Sequence, residues 1–421
     1  MKKKILVLDT GKEWGGGTVS LIELLKRVDR KRYEFSALFY NNYKKGAGSD
    51  IRRELEGMGV DFIHLDIRKK FYAKAVKEVI RGVLSPIPPL KRRYIRFHDF
   101  AERIQPAAKA ILSVLKSGGF DLIYMNNQPS SNIEGILAAK GAGIPCVQHS
   151  RIDVRLTRFE TEAVNQSVSK VICVSGGVKE GLIGSGVREE KCVVVYNGID
   201  PGLKPGRGPA EVKEGLGISE DDLLIGTVGS LIKRKRVDLL VDAVSILDKA
   251  GKKIKCVVVG EGPEMNPLKD KVRKAGLDKK IFFTGFSSDA LSYINAMDVF
   301  VLASEKEGLP RVVLEAMLMG RPVVAASVTG PAELVIDGGT GFLVDPASAG
   351  NIAERVAELT DSPAMRAEMG GTGRKRVVEG FSVDGYVRGV TGVFEEIFEA
   401  KVPEAKVPEA KVLEEGVHEE E

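Results

Sequence analysis

The chain has 421 residues, 43% of them apolar and 29% charged, a balance that supplies sizeable cores and excludes a wholly disordered polymer. Its 47 glycines follow no Gly-X-Y period, which excludes collagen, and a net charge of +5 is too mild an excess to mark a nucleic-acid binder. At about 150 residues per domain the length fits two large domains or three ordinary ones.

The chain opens MKKKILVLDTGKEW, whose apolar run is shorter than the ~7–15 residues of a secretory core, so no signal peptide is expected. Residues 4–8 form a candidate strand buried on both faces. Gly15, Gly16 and Gly17 follow, then a helical pattern over 18–30 with Leu21, Leu24, Leu25 and Val28 on one face. Further strands are expected at 35–40, 122–125, 144–148, 171–174 and 193–196. Nearly continuous apolar strands between amphipathic helices imply a parallel sheet covered on both faces. The segment NGIDPGLKPGRGP (197–209) holds four glycines and three prolines, the composition of a domain boundary. The rhythm then restarts, with strands expected at 223–228, 255–259, 281–284, 299–302 and 322–325. The fold class read from this pattern is α/β: two doubly wound, Rossmann-like parallel-sheet domains facing each other across a cleft. The division expected is 1–198, 199–380, a C-terminal helix over 381–400 returning toward the first domain, and an acidic tail over 401–421.

Two segments break the rhythm. Residues 67–97 carry ten Lys/Arg and one acid, Glu78, interleaved with Phe71, Tyr72, Val76, Val79, Ile80, Val83 and Leu84. This is the composition of a surface that meets anionic lipid headgroups, or of a solvated helix folded onto the domain. The tail KVPEAKVPEAKVLEEGVHEEE reads as disordered. Cys146, Cys173, Cys192 and Cys256 form no C-x-x-C pair, so reduced buried thiols in a cytoplasmic protein are expected. No apolar run approaches the ~20 residues of a membrane span.

A strand, a glycine turn and a helix N-terminus at 15–17 make a phosphate-sized site, although a tight turn would require the same glycines. Neither G-x-G-x-x-G nor G-x-x-x-x-G-K-[ST] occurs, which removes the main support for a dinucleotide oxidoreductase or a P-loop enzyme. The densest signal is a strand near 299–302 running into SEKEGLPRVVLEAMLMGRP. Pro310 suits a first helical turn and Gly320 a stop. Glu307 then falls in the loop at the sheet's carboxyl edge and Glu315 inside the helix, on an otherwise apolar turn. A carboxylate there needs donors facing it, and sugar hydroxyls are such donors.

Glu307-x7-Glu315 resembles the E-x7-E signature of the family-four, or group 1, glycosyltransferases of the GT-B fold. It stands in series with Gly15-Gly16…Glu23-Leu24, VICVSGGVKEGL…VVVYNGID, GSLIKRKRVDLLVDAV, VVVGEGPEM, FTGF and TGPAELVIDGGTGFLV, in the family's order from about residue 5 to 345. The resemblance implies a retaining, metal-independent enzyme using a nucleoside diphosphate sugar as substrate, with no further cofactor. It places Lys235 on the donor diphosphate, with Gly229, Ser230 and Arg234 in the same element. Glu315 would lie on the nucleotide ribose, Glu307 on a donor-sugar hydroxyl, and the Gly308 and Leu309 amides near sugar and phosphate. Gly15 and Gly16 would approach the diphosphate and acceptor, and His149 would stand beside the transferring sugar. Taken singly, Lys235 in a KRKR run reads as solvated charge and His149 as structural, whereas a structural role is the lesser reading of Glu315. The chain departs from the family at Ser230, where the family often has Arg, and at Arg236, where it usually has Gly. Arg234 or Arg236 are candidates for the second positive charge. The function expected is sugar transfer to a glycan or lipid-linked acceptor at the cytoplasmic membrane face. The alternatives are another GT-B enzyme (a nucleotide-sugar epimerase or a soluble glycoside synthase) and a non-catalytic sugar-binding scaffold.

Overall fold

The computed structural model describes residues 2–11, 14–46, 48–65, 94 and 100–400. The basic segment 67–97, Tyr94 apart, and the tail 401–421 lie outside the described residues.

Fifteen strands are described: β1 (Lys3–Asp9), β2 (Tyr33–Phe39), β3 (Lys44–Lys45), β4 (Ser49–Asp50), β5 (Asp61–His64), β6 (Leu122–Met125), β7 (Cys146–Ser150), β8 (Lys170–Cys173), β9 (Cys192–Val194), β10 (Leu223–Val228), β11 (Ile254–Val259), β12 (Ile281–Gly285), β13 (Val299–Leu302), β14 (Val323–Ala326) and β15 (Gly341–Val344). They form a seven-stranded sheet in the order β5-β2-β1-β6-β7-β8-β9 and a six-stranded sheet in the order β12-β11-β10-β13-β14-β15; β3 and β4 make a small antiparallel hairpin. Every pairing in the two large sheets is parallel. β6, β10 and β13 take the expected bounds and the other expected strands shift by one or two residues. β5, β15 and the hairpin are strands that the sequence pattern does not announce. β5 (DFIH) and β15 (GFLV) are edge strands, and Asp61 and Gly341 interrupt the unbroken apolar run that announces the equally short β6 (LIYM) and β13 (VFVL).

Strand order reverses between β1 and β6 in the first sheet and between β10 and β13 in the second. Doubly wound sheets bind ligands in the crevice outside the carboxyl ends of strands at such points. Both crevices belong to one interdomain space, because the two carboxyl edges face each other.

The chain ends by crossing back. The Val383–Glu399 helix lays Tyr386, Val387, Val390, Val393, Phe394 and Ile397 on the same core as Ile5, Val7, Leu122, Tyr124 and Val147 of the first sheet. A backbone clip starts that return: Ile199 N–H donates to Phe381 O (2.8 Å) and Val383 N–H to Ile199 O (3.0 Å). Phe394 is fully buried and stands edge-on to Tyr124 and Tyr33, at 5.4 and 6.1 Å between centroids. Removing that ring leaves a cavity that rigid strands cannot collapse around, at a cost of about 3–5 kcal/mol. Phe394→Ala is therefore expected to lower the urea midpoint with an unchanged slope, measured by far-UV circular dichroism.

Candidate active site

The donor-side loops are set by glycine packing. After β10, Gly229 donates its N–H to Val259 O (2.9 Å). A Cβ on Gly260 would sit 2.0 Å from Gly229 O, so the loops after β10 and β11 interlock through bare backbone. They lead into a short 3-10 turn, Lys233–Lys235. Arg236 ends it in the left-handed region (φ 48°, ψ 39°), the only described non-glycine residue there. That is the conformation glycine adopts freely, which gives a physical reason for the family's glycine at this place. Here the Arg236 guanidinium instead forks onto Asp238 at 3.1–3.3 Å.

This turn presents Lys235 across the strand-order reversal to the loop after β13. Lys235 Nζ donates to Glu307 Oε1 at 2.6 Å, and Arg234 Nη1 lies 3.7 Å from Glu307 Oε2 while donating to Lys306 O. Residues 72 positions apart in the chain thus share one crevice. Pro310 stands at the N-cap of the Arg311–Leu318 helix, which has no side-chain cap, and Gly320 (φ 65°) follows its C-cap. Among the described residues the Gly308 and Leu309 N–H groups find no acceptor. The crevice therefore offers an ammonium, free amides and a helix N-terminus together, the set that favours an anion. Ser304, fully buried just after β13, has an unpartnered Oγ in the same place.

Glu315 is half-buried on the Arg311–Leu318 helix and makes no side-chain hydrogen bond or ion pair among the described residues. Burial pushes its carboxyl above the ordinary range, and Arg311 opposes that shift.

On the facing edge, β1 runs to Asp9 and the Gly16–Arg27 helix begins after Gly15, whose missing side chain leaves that N-terminus uncapped. None of Gly15, Gly16 and Gly17 has positive φ, and an added Cβ would meet nothing within 4 Å at Gly15 and only ordinary contacts at Gly16 and Gly17. Neither turn geometry nor packing in the described structure requires these glycines, which weighs against the tight-turn explanation.

Behind them lies a buried polar network that the sequence motifs do not reveal. Asn126 and Asn127 donate to Asp9 (2.7 and 3.0 Å), as does Gly11 N–H (2.6 Å), and burial raises the Asp9 carboxyl. Arg151 donates to Asn126 Oδ1 (2.5 Å), Asn197 Oδ1 (3.1 Å), Tyr124 Oη (3.4 Å) and Tyr386 Oη (3.2 Å). His149 lies inside this network and is fully buried. Its Nδ1 is 2.6 Å from Tyr124 Oη, its Nε2 has no partner, and burial holds its pKa well below the usual histidine value. A neutral imidazole with one free nitrogen results. Asn, Tyr and Arg at strand ends have no periodicity; the available signal is polar residues just past each strand's carboxyl end, as in LIYMNN and VQHSR.

The two edges touch through main chain. A Cβ on Gly308 would lie 2.1 Å from Arg151 O, so only glycine permits this approach. Asn197 Nδ2 donates to Leu309 O (2.8 Å), Arg311 Nη1 to Gly198 O (2.7 Å), and the Gly176 and Gly177 N–H groups to Glu333 (2.9 and 2.8 Å). Ser175 caps the same helix. The four cysteines are buried and unpaired, and no group of three His, Cys, Asp or Glu side chains among the described residues could hold a metal ion. No described helix is long and apolar enough to cross a membrane.

Two outcomes follow from this geometry. Gly308→Ala is expected to keep both domains folded but hold them apart, read as a larger radius of gyration in solution scattering with a melting temperature within a few degrees of the parent's. Glu315→Gln is expected to stabilise the ligand-free protein. A carboxyl raised in the folded state favours folding only while protonated, so stability falls as pH rises from the ordinary value near ~4.3 through the raised one. The gain in melting temperature should be present at pH 7–8 and vanish below about pH 4.

Comparison with known proteins shows the family and the fold. The model for glycosyl transferases group 1 matches residues 210–376, and that for glycosyltransferase family 4 matches residues 14–203. An uncharacterised glycosyltransferase, MJ1178 of Methanocaldococcus jannaschii, is 26% identical over 392 residues, covering 91% of this chain and 95% of that protein. The UDP-Gal:alpha-D-GlcNAc-diphosphoundecaprenol alpha-1,3-galactosyltransferase of Escherichia coli is 27% identical over 314 residues, 70% of this chain and 79% of that one. In structure the chain is similar to Anabaena HepE in complex with UDP-glucose, with a TM-score of 0.75 and 23% identity over 93% of this chain and 99% of the other. The architecture is the GT-B fold, and the chain belongs to the group 1 glycosyltransferases.

Proposed function

We infer that this glycosyltransferase moves a sugar from a nucleoside diphosphate donor to a glycan or lipid-linked acceptor, with retention at the anomeric carbon and without a metal ion. The observation that carries the reading is the convergence of Lys235 and Glu307 at 2.6 Å beside the free amides of Gly308 and Leu309. Breaking the anomeric bond leaves positive charge on the sugar ring and negative charge on the departing phosphate. An ammonium and a helix N-terminus fixed in a crevice shielded from water stabilise that phosphate where it forms. Lys235 binds the diphosphate, Glu307 turns from Lys235 to a donor-sugar hydroxyl, and Glu315 accepts from the ribose. His149, held neutral, serves the sugar through Nε2 or its backbone carbonyl. The acceptor attacks from the face the leaving phosphate occupies, and its proton passes to that phosphate.

A uridine donor is favoured by the UDP-glucose of the HepE complex and the UDP-Gal of the E. coli relative. That relative's diphosphoundecaprenol-linked acceptor supports a lipid-linked one here, and the face proposed for it is the cytoplasmic one. The basic segment 67–97 is the proposed anionic-lipid contact.

Lys235→Ala and Glu307→Ala are each expected to lower transfer from the cognate nucleotide sugar by about 10²–10³-fold with cooperative melting retained. Near-parental rates in both folded variants would sink the assignment.

A further inference from the structure

The proposed chemistry asks for more positive charge on the diphosphate than one lysine supplies, and the position where the family often places an arginine is Ser230. The two replacements nominated by the sequence are both occupied. Arg234 donates to Lys306 O and stands beside Glu307, and Arg236 forks onto Asp238. The Arg151 stem lies beside Gly17, but its guanidinium is spent on Asn126, Asn197, Tyr124 and Tyr386.

Arg311 is different. It is only 7% exposed, makes no ion pair among the described residues, and uses one nitrogen, Nη1, on Gly198 O. Its Nε is buried with no acceptor. The charge of Arg311 acts on the Glu315 carboxyl without an ion pair between them, and a buried N–H left without an acceptor is costly, so Nε has a hydrogen bond to offer an anion. The stem of Arg311 lies against the uncapped start of the Gly16–Arg27 helix: a Cβ on Gly16 would sit 3.8 Å from Arg311 Cδ, the atom to which Nε is bonded. Arg311 also opens its own helix, one turn before Glu315, and four residues rise about 6 Å along a helix axis. That is the scale of the step from a ribose to the phosphates it carries.

We propose that Arg311 is the second cation of the diphosphate subsite, where it and the free amides of the Gly16–Arg27 helix hold a phosphoryl oxyanion between the two domains. The inference rests on the donor reading above and adds a residue which that reading does not include. The three glycines at 15–17 then have a reason: they leave room for that oxyanion.

Binding calorimetry tests this on the full chain, with UDP, GDP and ADP, the matching nucleosides, and farnesyl diphosphate as a phosphate source that has no nucleoside. Arg311→Met is expected to weaken the nucleoside diphosphate that binds the parent by about tenfold or more, the scale of a lost charge-assisted hydrogen bond. The matching nucleoside should bind as before, and Arg311→Lys should recover part of the loss. The ligand-free Arg311→Met protein should still melt cooperatively within a few degrees of the parent, because the Gly198 hydrogen bond is lost together with a buried charge. Gly16→Ala, which the ligand-free structure accommodates, should reproduce the binding loss. Equal diphosphate affinity in parent and Arg311→Met overturns the role of Arg311 while leaving the donor reading intact. Parallel loss of nucleoside and diphosphate, with a lowered melting temperature, overturns it in favour of a purely structural link to Gly198. Loss confined to farnesyl diphosphate moves the oxyanion to the acceptor and overturns the donor assignment of Arg311. A parent that binds none of the three nucleoside diphosphates overturns both readings.

Discussion

The site depends on one backbone contact, the approach of Gly308 to the carbonyl of Arg151, where any Cβ would lie 2.1 Å from the oxygen. Each sheet alone has an open carboxyl edge with free amides and little enclosure. The contact brings the two edges together. The groups that secure it are mostly backbone on one side and short or forked side chains on the other: Asn197 on Leu309 O, Arg311 on Gly198 O, Glu333 on the Gly176 and Gly177 amides. Such partners have little conformational freedom, so the dipoles facing the crevice are oriented before any ligand arrives, as charge stabilisation requires.

Charge inside the crevice is divided in an informative way. Lys235 and Glu307 satisfy one another, so the ligand-free protein keeps both ionised groups at low cost. On the proposed reading a donor separates that pair, and each partner then meets a new one: phosphate for the ammonium, a hydroxyl for the carboxylate. Glu315, Arg311 Nε, Ser304 Oγ and His149 Nε2 have no such internal partner. Asn132 Oδ1 and Gln148 Oε1 are likewise unpartnered, so a missing partner marks a candidate only where other geometry points to a ligand.

Much of this was legible in the sequence because the fold is built from buried parallel strands, whose apolar runs are hard to mistake. β6, β10 and β13 lie where the pattern places them. The loop after β13 carries Glu307, and the helical spacing that follows sets Glu315 two turns on. The Asp9–Asn126–Arg151–Tyr386 network was not legible. Its members are joined by the return of the final helix, which brings Tyr386 to Arg151 across 235 positions, and no local period encodes such a meeting. The glycines at 15–17 were ambiguous for a physical reason: a turn and a phosphate cradle demand the same residue, and only the backbone angles separate them.

The two departures from the family's pattern belong to one argument about the same loop. With glycine after Lys235 the left-handed turn would be free of strain. Arg236 accepts the strained conformation, and its side chain is then drawn to Asp238 and away from the phosphate crevice. With Ser230 also neutral, the loop after β10 delivers a single committed cation, Lys235, from the side of the donor domain. The remaining buried positive charge enters from Arg311, whose stem touches the first domain at Gly16 and whose Nη1 holds Gly198. Arg311 shares its helix with Glu315 and also touches the first domain, whereas a cation at 230 would stand in the donor domain alone. On the proposed assignment, a cation that bridges the domains would couple charge neutralisation to their contact, so that a leaving phosphate is stabilised most where water is excluded.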